Sequence, residues 1–235
     1  MIWVYGICER PDTPPPRLRG LAQAPLDGVR EGELLAVISR HVHPPGDPAL
    51  DALWVHERVV ERIMADRAVL PLRFGNRLAD DGVLREVLAA RQAEFLATLD
   101  RVRGRVEVGV RAMQPLGASA IADSAPEPVV TTGREYLEAK LRNGRRIERD
   151  VAALHEPLAK LAVAAQRQPA RAPEELVRAS YLVETAVVAR FRGAVERLQR
   201  AHPRVAILCT GPWPPYSFVA GTATLMTTSV AGGVR

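Results

Sequence analysis

Few residues in this chain have types and spacings that could do chemistry. His41 and His43 stand two apart, so on a strand they face the same side, as imidazoles sharing a metal would. No third ligand follows at a suitable spacing, and histidines at a loop edge are the commoner explanation. His56 and Glu57 begin as a zinc-protease helix begins, yet H-E-x-x-H needs a second histidine where this chain has Val60. Ser39, Ser180 and Ser217 lie in no G-x-S-x-G elbow, and no glycine-rich loop with a Walker lysine follows a strand. Cys8 and Cys209 sit near opposite ends in apolar, strand-like contexts, which suits buried small hydrophobes better than a disulfide or a zinc site. These patterns lead us to expect no enzyme, no metal and no cofactor.

Charge points weakly to a partner. The formal net charge is +5, which invites a nucleic-acid reading because clustered cations gain affinity by releasing counterions. The surplus is almost all arginine, with Lys140 and Lys160 the only lysines, and reads more as codon preference than as a phosphate-binding surface. The densest basic stretch, Lys140–Arg149, is interleaved with Glu148 and flanked by Glu138 and Asp150, so a solvated helix face with i,i+4 pairs outweighs nucleic-acid binding. The N-terminus lacks a basic region and a long apolar run, and no segment approaches about 18 uninterrupted apolar residues. The expectation is a cytoplasmic protein with no lipid-membrane partner.

The elements that would position these residues follow from periodicity. Ile2–Cys8 is β-branched and aromatic, and a hairpin turning near Gly32 leads into Leu34–Ile38, apolar on both faces and therefore central in a sheet. A helix opening at Asp47 or Asp51 and running to Arg67 carries Leu53, His56, Val60 and Ile63 on one face. Ala68–Gly75 reads as a strand, Asp80–Arg103 as an amphipathic helix, and Arg105–Met113 as a half-exposed strand with Val106, Val108 and Val110 on its apolar side. The Pro/Ser/Ala-rich stretch after it reads as a linker. This predicts a first domain over residues 1–115, a linker over 116–133 and a second domain over 134–235. In the second domain a long helix or helix pair is expected to break near His155 because of Pro157, followed by a strand at Leu176–Val183, a helix to Ala201 and a strand at Arg204–Gly211.

Two short motifs remain. In LPLRFG, Pro71 interrupts a strand and so marks an edge or bulge, while Arg73 and Phe74 place a cation beside a ring ahead of Gly75. In GPWPPYSF, the residues Pro212, Pro214 and Pro215 after Gly211 hold an extended segment that displays Trp213, Tyr216 and Phe218. Such rigid aromatics either plug a groove on their own protein or bind another, and packing between the domains is the favoured role.

The run of YGI (Tyr5–Ile7), LLAVIS (Leu34–Ser39), HERVVERI (His56–Ile63), VLPLRFG (Val69–Gly75), VEVGVR (Val106–Arg111), REYLEAKL (Arg134–Leu141), YLV (Tyr181–Val183) and TGPWPPYSFV (Thr210–Val219) resembles the gas vesicle protein L/F family. The resemblance covers nearly the whole chain. It implies an α+β fold with an N-terminal ferredoxin-like α/β domain and a C-terminal α+β domain. It also implies a non-enzymatic accessory role in gas vesicle formation. The partners it implies are the small, very hydrophobic major shell protein and other gas vesicle accessory proteins, and the location it implies is the cytoplasm, in association with gas vesicles. Shielding of the shell subunit at an edge of the N-terminal sheet, by Pro71 or by the Arg105–Met113 strand, is the expected mechanism.

Overall fold

The computed structural model describes residues 1–9, 18–42, 50–114, 132–219 and 221. His43, Asp47, the first proline tract, the final ten residues and nearly all of the expected linker lie outside them. The order of elements is β1 (Ile2–Glu9), β2 (Leu26–Glu31), β3 (Leu34–Arg40), α1 (Leu50–Asp66), β4 (Leu70–Pro71), β5 (Arg77–Leu78), α2 (Asp81–Ala90), α3 (Gln92–Val102) and β6 (Arg105–Met113). It continues with α4 (Gly133–Ala159), β7 (Ala164–Arg167), β8 (Glu175–Glu184), α5 (Val188–Ala201), β9 (Ala206–Trp213) and α6 (Tyr216–Val219). The fold is α+β, with two antiparallel sheets.

Contacts divide the chain into two compact units, residues 1–106 with 213–235, and residues 107–212. The described residues from Trp213 onward therefore group with the first unit, whereas the sequence places them at the end of the second domain.

The first unit is built on the strand order β2-β3-β1-β4, with β5 also pairing β1. β1 and β3 are inner strands buried on both faces, which is why neither shows polar alternation. Val4 pairs with Ile38 and Gly6 with Val37, so Tyr5 is an extra residue in β1. That bulge keeps Ile2, Val4 and Ile7 on the face packed against Leu84, Leu88, Phe95 and Leu99 of α2 and α3. It keeps Trp3, Tyr5 and Cys8 on the face packed against Val59, Val60 and Ile63 of α1. Leu53, expected on the buried stripe of α1, is instead exposed, because the stripe runs through His56, Val59, Val60 and Ile63.

Three further expectations change. The Ala68–Gly75 strand shrinks to the two-residue β4, and after a turn in which Gly75 adopts φ +99° the chain pairs with β1 again as β5, beyond the expected strand. The Asp80–Arg103 helix is two helices broken at Arg91, where ψ reaches 17°. β6 belongs to the second sheet and not the first.

The second unit has the strand order β7-β8-β6-β9, so β8 and β9, joined through α5, are separated by β6 and are not neighbours. Its core joins Val108, Val110 and Ala112 of β6 to Tyr181 and Val183 of β8, Phe191 and Val195 of α5, and Val151, Leu154 and Leu158 of α4. Burying each such aliphatic or aromatic side chain contributes about 1.5–3 kcal/mol. Helix α4 continues past His155 to Ala159 instead of restarting there, with Pro157 in its last turn, where only the single i→i−4 bond to the Ala153 carbonyl is forfeited.

Candidate functional site

His56 sits on the buried face of α1 and is held from two sides. The indole Nε1–H of Trp3 donates to its Nδ1 at 3.3 Å. Because Nδ1 accepts, the ring proton resides on Nε2, which donates to the Leu72 carbonyl at 2.7 Å. Tyr5 stacks on the imidazole with centroids 5.1 Å apart, and Phe74 meets it edge-on at 5.7 Å while also tilting against Trp3 at 4.9 Å. Burial pushes the His56 pKa down to about 4. With both nitrogens engaged and no charge at neutral pH, this histidine has neither a free lone pair for a metal nor a proton for a substrate.

A second polar chain runs through the same layer. The Tyr5 hydroxyl accepts from the Leu21 N–H at 2.8 Å and shares a 2.8 Å bond with Ser39 Oγ. Ser39 in turn lies 2.7 Å from His41 Nε2. His41 is thereby tied to its own strand, and burial lowers its pKa.

Glu57, adjacent to His56 in sequence, turns elsewhere. Its carboxylate accepts from the Tyr216 hydroxyl at 2.8 Å, and partial burial raises its pKa against the lowering effect of that bond. The contact anchors the GPWPPYSF segment to α1. Pro214, Pro215 and Phe218 are buried, Trp213 stays 38% exposed, and Arg101 donates to the Phe218 carbonyl. Val219 enters the core beside Leu70 and Leu72. Gly211 and Pro212, joined by a cis bond, lie in the second unit, where Arg192 donates to the Gly211 carbonyl.

The LPLRFG motif lies at the edge of the first sheet, as Pro71 suggested, with Pro71 opposite Gly6. Arg73 is exposed, and its carbonyl closes the turn by accepting from Asn76 N–H and from Asn76 Nδ2. Its neighbour Phe74 packs on His56 and Trp3, so the cation and ring expected to act together separate. Among the described residues an arginine does stack on a ring elsewhere, Arg91 over Phe95 at 4.7 Å.

The structure thus brings His56, Glu57, Pro71, Phe74, Tyr216 and Phe218 into one region of the first unit, and leaves Arg73, Gly75 and Trp213 toward its surface. Trp3, Tyr5 and Ser39 complete the cluster. The sequence does not relate these three to His56, although Trp3 and Tyr5 at i,i+2 share a strand face. Also unnoticed was an apolar patch on the first turns of α1, where Leu50 is 75%, Leu53 43% and Trp54 60% exposed.

The edges expected to shield a partner look different in three dimensions. β6 is an inner strand, and β4 spans two residues, with the N–H of neighbouring Leu72 taken by Tyr5 and its carbonyl by His56. The Lys140–Arg149 stretch is an exposed part of α4, which opens with the i,i+4 chain Arg134–Glu138–Arg142.

Two antiparallel sheets, with a polar and aromatic cluster in the first unit whose groups satisfy one another, define a protein of the α+β class. The model of the family described as gas vesicle synthesis protein GvpL/GvpF matches residues 1–220, and the chain belongs to that family. Gas vesicle protein F of Streptomyces sp. (strain CB03234) is 31% identical over 92% of this chain and 98% of its own. Gas vesicle protein L of the same strain is 30% identical over 94% and 93%. The crystal structure of GvpF from Anabaena sp. PCC7120 superposes with a TM-score of 0.80 at 22% identity, covering 96% of this chain and 97% of that one. GvpF from Microcystis aeruginosa gives 0.77 at 18%, covering 92% and 98%. These relatives support a role in gas vesicle formation and lend nothing to the nucleic-acid alternative. Among the described residues, no helix is long and apolar enough to cross a membrane.

Proposed function

We propose that this chain assists gas vesicle formation by binding the hydrophobic major shell protein through Leu50, Leu53 and Trp54 of α1. The observation that carries the reading is the exposure of these three side chains at i, i+3 and i+4, on the first turns of a helix whose buried stripe is fixed by His56, Val59 and Ile63. An exposed apolar cluster with a tryptophan marks a protein interface, and desolvation of a single buried tryptophan often dominates such contacts. A shell subunit before polymerisation carries an apolar surface of matching character. In this proposal Tyr216, Phe218, Pro71 and Phe74 act as the frame that keeps α1 in place, and the protein works in the cytoplasm beside growing vesicles.

The test is co-expression of the tagged chain with the major shell protein, followed by capture. The wild-type chain is expected to retain the shell protein and raise its solubility. The double variant Leu50→Ser, Trp54→Ser should lose capture at least tenfold with an unchanged melting temperature. Equal capture by the variant, or no capture by a folded wild-type chain, would overturn the proposal.

A further inference from the structure

Sheet edges in native proteins are kept from pairing by being short or charged. Among the described residues, β4 and β5 have two residues each, β7 has four, and β2 carries Asp27, Arg30 and Glu31. β9 is neither short nor charged, and Pro212 blunts only its C-terminal end. It is an edge strand of eight residues, AILCTGPW, with no charged side chain.

Two caps identify which side of β9 faces outward. The Ile207 N–H donates to Gln199 Oε1 at 2.8 Å, and the Gly211 carbonyl accepts from Arg192. Alternation along a strand then places the N–H and C=O of Cys209 on that same side, midway between the capped groups. Beside this edge lies a pocket of about 390 Å³ floored by Val195, Ile207 and Cys209. Its rim on α5 carries Arg192, Glu196 and Arg200, with Gln199 next to them.

We propose that the outer edge of β9, together with its groove against α5, takes an extended acidic peptide segment from a partner protein as an added strand. The backbone of Cys209 supplies the ladder bonds and the apolar floor takes one side chain. Arg192 and Arg200 are eight residues apart, about 12 Å along the helix. Residues j and j+4 of a strand share a face and lie about 13 Å apart, so carboxylates at those positions reach both arginines. Glu196, between the arginines, excludes a third acid at j+2 and selects an uncharged residue there. The rim is net positive, which also disfavours a second copy of this chain, since pairing two β9 edges would set arginine rim against arginine rim. This surface is separate from the apolar patch on α1 and calls for a different partner.

The probe is a fluorescein-labelled peptide TETVTET, with TKTVTKT as its charge-reversed control, titrated with the full chain and followed by anisotropy. Saturable binding of TETVTET is expected, at least tenfold tighter than the control and weakened by salt. Arg200→Glu should weaken it at least tenfold. Cys209→Pro should abolish it, because an outward-facing N–H at an edge can be replaced by proline without breaking the sheet. Should Cys209→Pro misfold, Arg200→Glu still decides. Absence of binding by the folded chain, equal binding of both peptides, or full binding by Arg200→Glu would overturn the proposal. So would a non-covalent dimer paired through β9 that TETVTET does not dissociate.

Discussion

Trp3 and His56, 53 residues apart in sequence, are joined by a 3.3 Å hydrogen bond from indole Nε1 to imidazole Nδ1. Because His56 also donates to Leu72, one ring links β1, α1 and the residue that follows β4. The imidazole is 1% exposed, so each of these bonds satisfies a group that could not find water. Removing one partner leaves a buried donor or acceptor unmet, at about 1–3 kcal/mol.

The same burial makes stability depend on pH. His56 titrates near 6.5 when unfolded and near 4 when folded, so between those values the unfolded chain binds a proton that the folded chain refuses. Stability from this group is therefore full above pH 6.5 and lost as pH falls toward 4, by about 3 kcal/mol at 1.36 kcal/mol per unit. Glu57, with its raised pKa, acts in the opposite sense. Urea unfolding at pH 7, 5.5 and 4.5 should show the loss in wild type and a shallower dependence in His56→Leu. Parallel profiles would mean that His56 protonates freely in the fold.

The C-terminal segment offers a graded test. Phe218→Ala empties a buried site and should cost about 3–5 kcal/mol, whereas Trp213→Ala, at a side chain 38% exposed, should cost less. Tyr216→Phe removes the 2.8 Å bond to Glu57 and should cost about 1–2 kcal/mol. Since that bond opposes the upward pull of burial, the Glu57 carboxyl should titrate still higher in the variant. An NMR titration of its side-chain carbon reads this directly, and an unchanged value would show that the hydroxyl does not hold the carboxylate.

Much of the fold was legible because burial on both faces leaves an uninterrupted apolar run, as in β1 and β3, and burial on one helix face leaves a three-to-four repeat, as in α5. What was illegible needed partners. Alternation marked β6 as a strand but assigned Glu107 to an exposed face, where the fold buries it, and could not say which sheet β6 joins. The break at Arg91 has no glycine or proline to announce it. His56 was readable as a satisfied core histidine from its place on the apolar stripe. Its donor Trp3 was not, because nothing local relates residues 53 positions apart.

Gly6 is required by close approach. A Cβ there would lie 2.8 Å from Val69 Cγ2 and 3.1 Å from the Leu70 carbonyl oxygen, a backbone atom. Gly6→Ala should therefore push β4 off β1, weakening the Gly6–Pro71 pairing and the hold of Leu72 on His56, at about 1–3 kcal/mol. Hydrogen exchange at the Leu72 amide, which donates to Tyr5, should rise more than at β3. Uniform exchange across the sheet would place the strain elsewhere.

In the second unit, Glu175 plays the organising part. Its carboxylate, 1% exposed, accepts from Arg178 at 3.0 Å, from the Arg171 N–H at 2.8 Å and from Arg111 at 2.9 Å. The Arg178 bond chiefly, then the Arg171 N–H, holds its pKa down at about 2 against an ordinary value of 4.5. The folded chain thus keeps this group ionised where the unfolded chain would protonate it. Its contribution is complete above pH 4.5 and is lost as pH falls through about 2. Glu175→Gln keeps the shape but removes the charge that faces Arg111 and Arg178. The variant should melt at a lower temperature at pH 7 and lose the part of the acid sensitivity that lies between pH 4.5 and 2. An acid-unfolding curve that superposes on wild type would show that the two arginines are solvated well enough to do without it.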